Sequence, residues 1–219
     1  IGAGPLCGIG IEADFEDADV YLAYVQQAGL GLPERGYYLN DDERSVGLRG
    51  AYESHVAAQL GNLGAGPDEA KAAGEAILAF ERRLAEASLS PEQHRDPKLT
   101  LNRFEVGVLD EEVPGLRLGA FLREVGITSE TVSVDNLAFF KAVDAALGET
   151  PLETLRDVLR WHLVRASASS LAPAFEDEHF AFYGRILGGQ QEQQPRWKRV
   201  VGAVSSDIGE AVVREMAAG

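Results

Sequence analysis

From Asp41 onward the apolar residues of this chain recur at helical spacing, and that period constrains the fold more than any other feature. Leu48, Tyr52, Val56, Leu60 and Leu63 fall on one helix face, and Gly64 and Gly66 follow as a stop. Pro67 then takes a first helical position, with Asp68 and Glu69 in the first turn, where they favour the helix dipole. Ala73, Ile77, Phe80, Leu84 and Ala87 form the apolar stripe of that second helix. Ser90-Pro91-Glu92-Gln93 reads as a capping box opening a short helical turn.

Residues 99–127 read as irregular, with short helices near 103–110 and 116–125, and Thr131–Val134 as a short strand. Asp135 is the expected cap of a helix bearing Leu137, Phe140, Val143 and Leu147, closed by Gly148. Thr150-Pro151-Leu152-Glu153 combines an N-cap, a proline at the first position and a glutamate three residues on. The helix it opens is expected to reach about Ser169, and two more are expected near 173–187 and 196–215.

The start of the chain has another period. Residues 8–14 partly alternate apolar and polar, and residues 20–27 are rich in β-branched and aromatic types. The acidic turn Phe15–Asp19 lies between them, so the pair reads as a β-hairpin. The expected fold is mainly α: a β-hairpin and lead-in over 1–40, then a multi-helix domain over 41–219.

The 35 acidic residues outweigh 20 basic ones, for a formal net charge of -15. Such a surface repels phosphate backbones, which argues against nucleic acid as a partner. Cys7 is the only cysteine, so neither an intrachain disulfide nor a cysteine cluster for zinc can form. No apolar run is long enough to suggest a membrane span, and the start lacks a signal-peptide pattern. The first residue is Ile1 and the only methionine is Met216, so the chain reads as a piece of something longer. Arginine far outnumbers lysine, a composition that leans toward a bacterial source.

Chemistry-bearing patterns are scarce. Ile1-Gly2-Ala3-Gly4-Pro5 has two glycines of a dinucleotide-binding turn but no preceding strand, and position 7 is a cysteine. A glycine-rich lead-in is the better reading, although a nucleotide-binding enzyme stays open as a rival. The histidines are His55, His94, His162 and His179, and no two are four apart as a helical zinc site requires. The inverted pattern before His179 fails because position 175 is Phe175. His55 and His162 read as packed helix residues. Glu81, within Phe80-Glu81-Arg82-Arg83-Leu84, reads as a surface partner of arginine, with a buried acid as the alternative.

Several segments together resemble the neprilysin and endothelin-converting-enzyme family of zinc metallopeptidases. Gln27–Leu39 carries Gly31-Leu32-Pro33-Glu34-Arg35-Gly36-Tyr37-Tyr38, similar to the family's Gly-Leu-Pro-x-Arg-x-Tyr-Tyr, with Gly36 where an aspartate is common. Phe80–Ala85 resembles its Glu-x-x-Leu-Ala stretch, and Arg95-Asp96 followed by Leu101-Asn102 its Arg-Asp then Tyr-Asn pattern. Phe180–Gly189, Pro195-Arg196-Trp197-Lys198-Arg199 and Gly209-Glu210-Ala211 follow in the family's order.

The resemblance implies an internal part of the N-terminal, lid-like domain of a zinc metalloendopeptidase that acts on small peptides. The family's catalytic His-Glu-x-x-His does not occur in this sequence. Zinc is therefore expected in the parent enzyme rather than here, and the partner is the catalytic domain of the same polypeptide. A secreted, periplasmic or cell-surface location follows from the same resemblance. Gly31, Leu32, Pro33, Arg35, Tyr37, Tyr38, Arg95, Asp96, Asn102, Arg196 and Trp197 are the motif residues, with structural or interdomain roles expected. Inactivity alone is expected, together with marginal stability or self-association where a partner surface is lost. The rival from another class is a non-catalytic helical binding module.

Overall fold

The structure, a computed structural model, describes residues 4–218. Ile1, Gly2 and Ala3 of the lead-in lie outside the described residues. The chain divides into two compact units, Ile1–His179 and Phe180–Gly219.

The first unit is mainly helical. After strands β1 (Cys7–Ala13) and β2 (Tyr21–Gln27) come α1 (Gly36–Leu39), α2 (Glu43–Asn62), α3 (Pro67–Ala87), α4 (Pro91–His94) and α5 (Pro97–Thr100). Then follow β3 (Asn102–Glu105), α6 (Val106–Glu112), α7 (Leu118–Glu124), β4 (Thr131–Val134), α8 (Leu137–Glu149), α9 (Leu152–Ser167) and α10 (Pro173–His179).

Local chemistry explains most of these boundaries. The Asp42 carboxylate accepts from Ser45 N at 3.0 Å and caps α2. Gly64, at φ 102°, ends the link from α2, and Pro67 starts α3. Ser90 and Gln93 form the expected reciprocal box at α4. The α2–α3 hairpin builds the core with α8 and α9, through Tyr52, Val56, Ile77, Leu84, Phe139, Phe140 and Trp161, all under 2% exposed. Gly74 lets the hairpin close: a Cβ there would lie 2.9 Å from Glu53 O on α2.

The expected hairpin forms with an unbroken register from Cys7↔Gln27 to Ala13↔Tyr21. It is half of a larger sheet, ordered β1-β2-β4-β3, in which β2 runs parallel to β4 and β3 antiparallel to β4. The short helix expected near 103–110 starts only at Val106, because residues 102–105 pair with β4 as β3.

Two caps also differ. Asn136, not Asp135, caps α8, accepting from Phe139 N at 3.2 Å, while Asp135 receives Gln27 N at 2.9 and 3.0 Å. The α8 helix runs through Gly148 to Glu149. Thr150, expected to cap α9, instead closes α8 by donating its N–H to Ala146 O at 3.0 Å, so α9 opens at Leu152 after Pro151. Such shifts of one or two residues are ordinary at helix ends.

The second unit carries a π-helical segment, Phe180–Leu187, and α11 (Arg196–Ala218). The expected helix over 173–187 thus changes character at Phe180. Gly188 N donates to Tyr183 O at 3.1 Å, which closes the wider turn. Within α11, Ile208 is non-helical at φ -129°, so this long helix is kinked.

Candidate functional site

The most concentrated polar chemistry lies inside the first unit. Helical spacing puts Glu81 on the inward face of α3, in phase with Ile77 and Leu84. Its side chain is fully buried, so the reading as a surface partner of arginine is corrected: Arg83 instead reaches Glu149 at 2.6 Å. The hydroxyl of Tyr38 donates to Glu81 Oε2 at 2.6 Å, and that of Tyr52 lies 2.8 and 2.9 Å from the two carboxyl oxygens. Gly31 N donates to Oε2 at 3.3 Å.

The network extends outward from these bonds. Tyr38 Oη accepts from Gly31 N at 2.9 Å and Leu32 N at 2.8 Å, and Tyr52 Oη accepts from Trp161 Nε1 at 2.9 Å. Arg165 Nη1 donates to Leu30 O at 3.1 Å. His162 Nε2 lies 3.8 Å from Glu81 Oε1. Burial pushes the Glu81 carboxyl up, opposed by the two tyrosine hydroxyls, Gly31 N and the Arg165 charge. Burial first, and the Arg165 charge second, lower His162 to about 4. Both shifts favour uncharged forms. Both carboxyl oxygens are engaged, and through Tyr38 and Gly31 N the arrangement holds the Leu30–Leu32 loop in place.

The motif residues sit around this node. Tyr38 is wholly buried, as is Leu32 at 1% exposure. A Cβ on Gly31 would overlap the Tyr52 hydroxyl, so the glycine is required by close approach. Arg35 Nη1 donates to Ser88 O at 2.9 Å, just past the end of α3, where carbonyls lack helical partners. Tyr37 O accepts from Arg49 Nη1 at 3.0 Å. Leu30, Leu32, Pro33, Arg35, His94 and Arg165 help line a cavity of about 390 Å³ beside this loop.

The remaining motif residues lie elsewhere. Asp96 caps α5 through Lys98 N at 3.0 Å, next to the exposed Arg95. Asn102 Nδ2 donates to Val134 O at 3.0 Å, pinning β3 to β4. In the second unit Arg196 and Trp197 open α11; Trp197 is 64% exposed, and Lys198 Nζ stands 5.5 Å from its ring centre.

Other candidate groups have local partners. His55 Nδ1 lies 2.8 Å from Glu178 Oε1 and its ring meets Trp161 edge-on at 5.4 Å. Burial pushes the Cys7 thiol up, the opposite of an activated nucleophile. Among the described residues no three His, Cys, Asp or Glu side chains gather as a metal-holding group. No helix among them is long and apolar enough to cross a membrane.

The Tyr38, Tyr52 and Glu81 constellation holds the Gly-Leu-Pro segment from three elements, which makes the segment a scaffold signature. The family model described as Peptidase family M13, for its N-terminal region, matches residues 1–218. The chain belongs to Peptidase family M13.

Within this family, Endothelin-converting enzyme 1 from Cavia porcellus is 30% identical over 212 residues, 94% of this chain but 28% of that relative. The Rattus norvegicus enzyme is 30% identical over 215 residues, again 28% of its length. Among solved structures, the zinc metalloprotease ZMP1 of Mycobacterium tuberculosis in its open state superposes with a TM-score of 0.88 at 30% identity. That alignment covers 98% of this chain and 34% of the other. PEPO from Lactobacillus rhamnosis shares the fold, with a TM-score of 0.75 at 20% identity over 91% of this chain and 32% of that one. The chain therefore spans about a third or less of the relatives it matches.

Proposed function

We propose that this chain is the helical, lid-like part of a zinc metalloendopeptidase acting on small peptides, and that it does not hydrolyse peptides by itself. The observation that carries this reading is the family match over residues 1–218 of a chain that lacks His-Glu-x-x-His anywhere in its sequence. The residues present do not suit a zinc site of the family's kind. His55 is committed to Glu178, and His162 faces Glu81 within the core. No hydrolytic step therefore runs through these side chains.

The chain's contribution is exclusion: a packed helical wall that limits what reaches a catalytic half and keeps bulk water from it. The catalytic half is the partner, on the same polypeptide, and zinc belongs to it. A secreted, periplasmic or cell-surface setting is part of the same reading.

The test is peptide hydrolysis by the purified chain, with zinc content determined on the same sample. The expected result is no turnover and no stoichiometric zinc. Chelator-sensitive cleavage with one bound zinc would overturn the reading. It would mean that the chain assembles a site from residues distant in sequence.

A further inference from the structure

We propose that the free edge of β1 is a strand-addition site for an extended peptide that alternates apolar and basic residues. The inference rests on the reading of the parent as a peptidase acting on peptides, and gives the lid-like part a peptide-holding role of its own.

The backbone comes first. In the order β1-β2-β4-β3, β1 has a neighbour on one side only among the described residues. Every second residue of such a strand turns its N–H and C=O away from the paired side. Only another extended backbone matches that row of donors and acceptors. The usual protections of an edge are missing from Cys7–Ala13: it has no proline, no lysine and no bulge, and its register with β2 is continuous.

The side chains then specify the occupant. Ile9 and Ile11 share one face of β1, while Gly8, Gly10 and Glu12 share the other. Ile11 is 62% exposed, and Tyr21, diagonal to it across the pair on the same face, is 73% exposed. An incoming strand would therefore set alternate apolar side chains beside Ile9 and Ile11. On the opposite face the glycines carry no side chain, so this face is low at Gly8 and Gly10. A Cβ there would make only ordinary contacts with Gln26 at 3.8 Å and Glu12 at 3.9 Å, while Tyr24 opposite Gly10 reaches Ala13 O at 3.4 Å. Long side chains from the added strand can lie across it and reach Glu12.

Charge selects basic residues for that face. Arg103 engages Asp14 at 2.5 Å and Glu16 at 2.9 Å. Glu12, Asp17 and Asp19 have no ion-pair partner among the described residues. The chain's net charge of -15 attracts a cationic peptide over a distance and repels a second copy of itself.

The experiment measures binding of a labelled, end-blocked octapeptide of alternating valine and arginine to the intact chain, by fluorescence anisotropy at low salt. Hydrogen exchange of the β1 amides is followed in parallel. Saturable binding with slowed exchange in β1 is expected. Glu12→Lys combined with Asp17→Lys, both at exposed positions, is expected to weaken binding by about tenfold or more. Methylation of alternate peptide nitrogens, which removes the ladder donors, is expected to abolish it. The proposal is overturned by no binding at millimolar peptide, by equal binding of the methylated peptide, or by unprotected β1 amides. Association of two chains through β1 that the peptide does not compete with would also overturn it. Zinc content and hydrolysis are not read in this experiment, so it can fail while the peptidase reading stands, and the reverse.

Discussion

At the scale of single residues, the Glu81 node governs how this chain holds its most distinctive segment. Tyr38→Phe keeps the ring but removes the acceptor for Gly31 N and Leu32 N, so buried donors lose a partner. The expected loss is on the order of 2 kcal/mol, read from the urea midpoint at unchanged slope. A change within a few tenths would mean that water or Glu81 replaces the hydroxyl. The same node sets a pH dependence. His162 is depressed to about 4, so between roughly pH 6.5 and pH 4 the unfolded chain takes up a proton that the folded one refuses. Stability from this group is complete above that window and falls with pH inside it, by roughly 3 kcal/mol. His179, also lowered to about 4, first by burial and then by the His55 charge, acts in the same sense. Glu81 acts oppositely, because its raised value means that the folded state gains a proton as pH falls. His162→Gln should therefore flatten the acid limb of stability against pH, and Glu81→Gln should steepen it. Parallel acid limbs for wild type and both variants would refute that assignment.

At the scale of elements, the α2–α3 hairpin depends on close approach. Gly74 faces Glu53 O with no room for a side chain, so Gly74→Val must push the two helices apart. An expected cost of about 2 kcal/mol should appear in the thermal midpoint, whereas Gly50→Ala on α2, with open space around it, should not lower stability. Elements of this kind are readable from sequence where the start signal is local. Pro67 brings a preset φ to the first turn of α3, and the Ser90 box closes its hydrogen bonds within one turn, whereas the Asp42 cap emerges only from the structure. The sheet was half readable. The hairpin has its own period and turn, but β3 is four residues long and becomes a strand only because β4 offers it a partner. Glu81 shows the same limit at the site. Two arginines follow it in the chain, so its local pattern suggests a surface pair. Its phase with Ile77 and Leu84 was the available signal, while the tyrosines that make burial tolerable come from α1 and α2.

At the scale of the whole molecule, charge and apolar surface act against each other. The inner face of α9 packs Val158, Trp161, His162 and Val164 into the core, yet Leu152, Leu159 and Leu163 stand more than half exposed on its outer side. A helix that is apolar on two faces normally has both covered. The net charge of -15 opposes self-contact, but only over the screening length, about 10 Å at 0.1 M salt and 3 Å at 1 M. Raising salt shortens that repulsion and strengthens burial of apolar surface. The chain is therefore expected to sediment as a monomer in dilute buffer and to associate reversibly near 1 M salt. Leu159→Lys with Leu163→Lys should abolish that association without lowering the melting temperature appreciably, because both side chains already face solvent. A monomer at every salt concentration would show that the outer face of α9 is not sticky. Association that survives the double substitution would place the contact elsewhere, with the edge of β1 as the next surface to block.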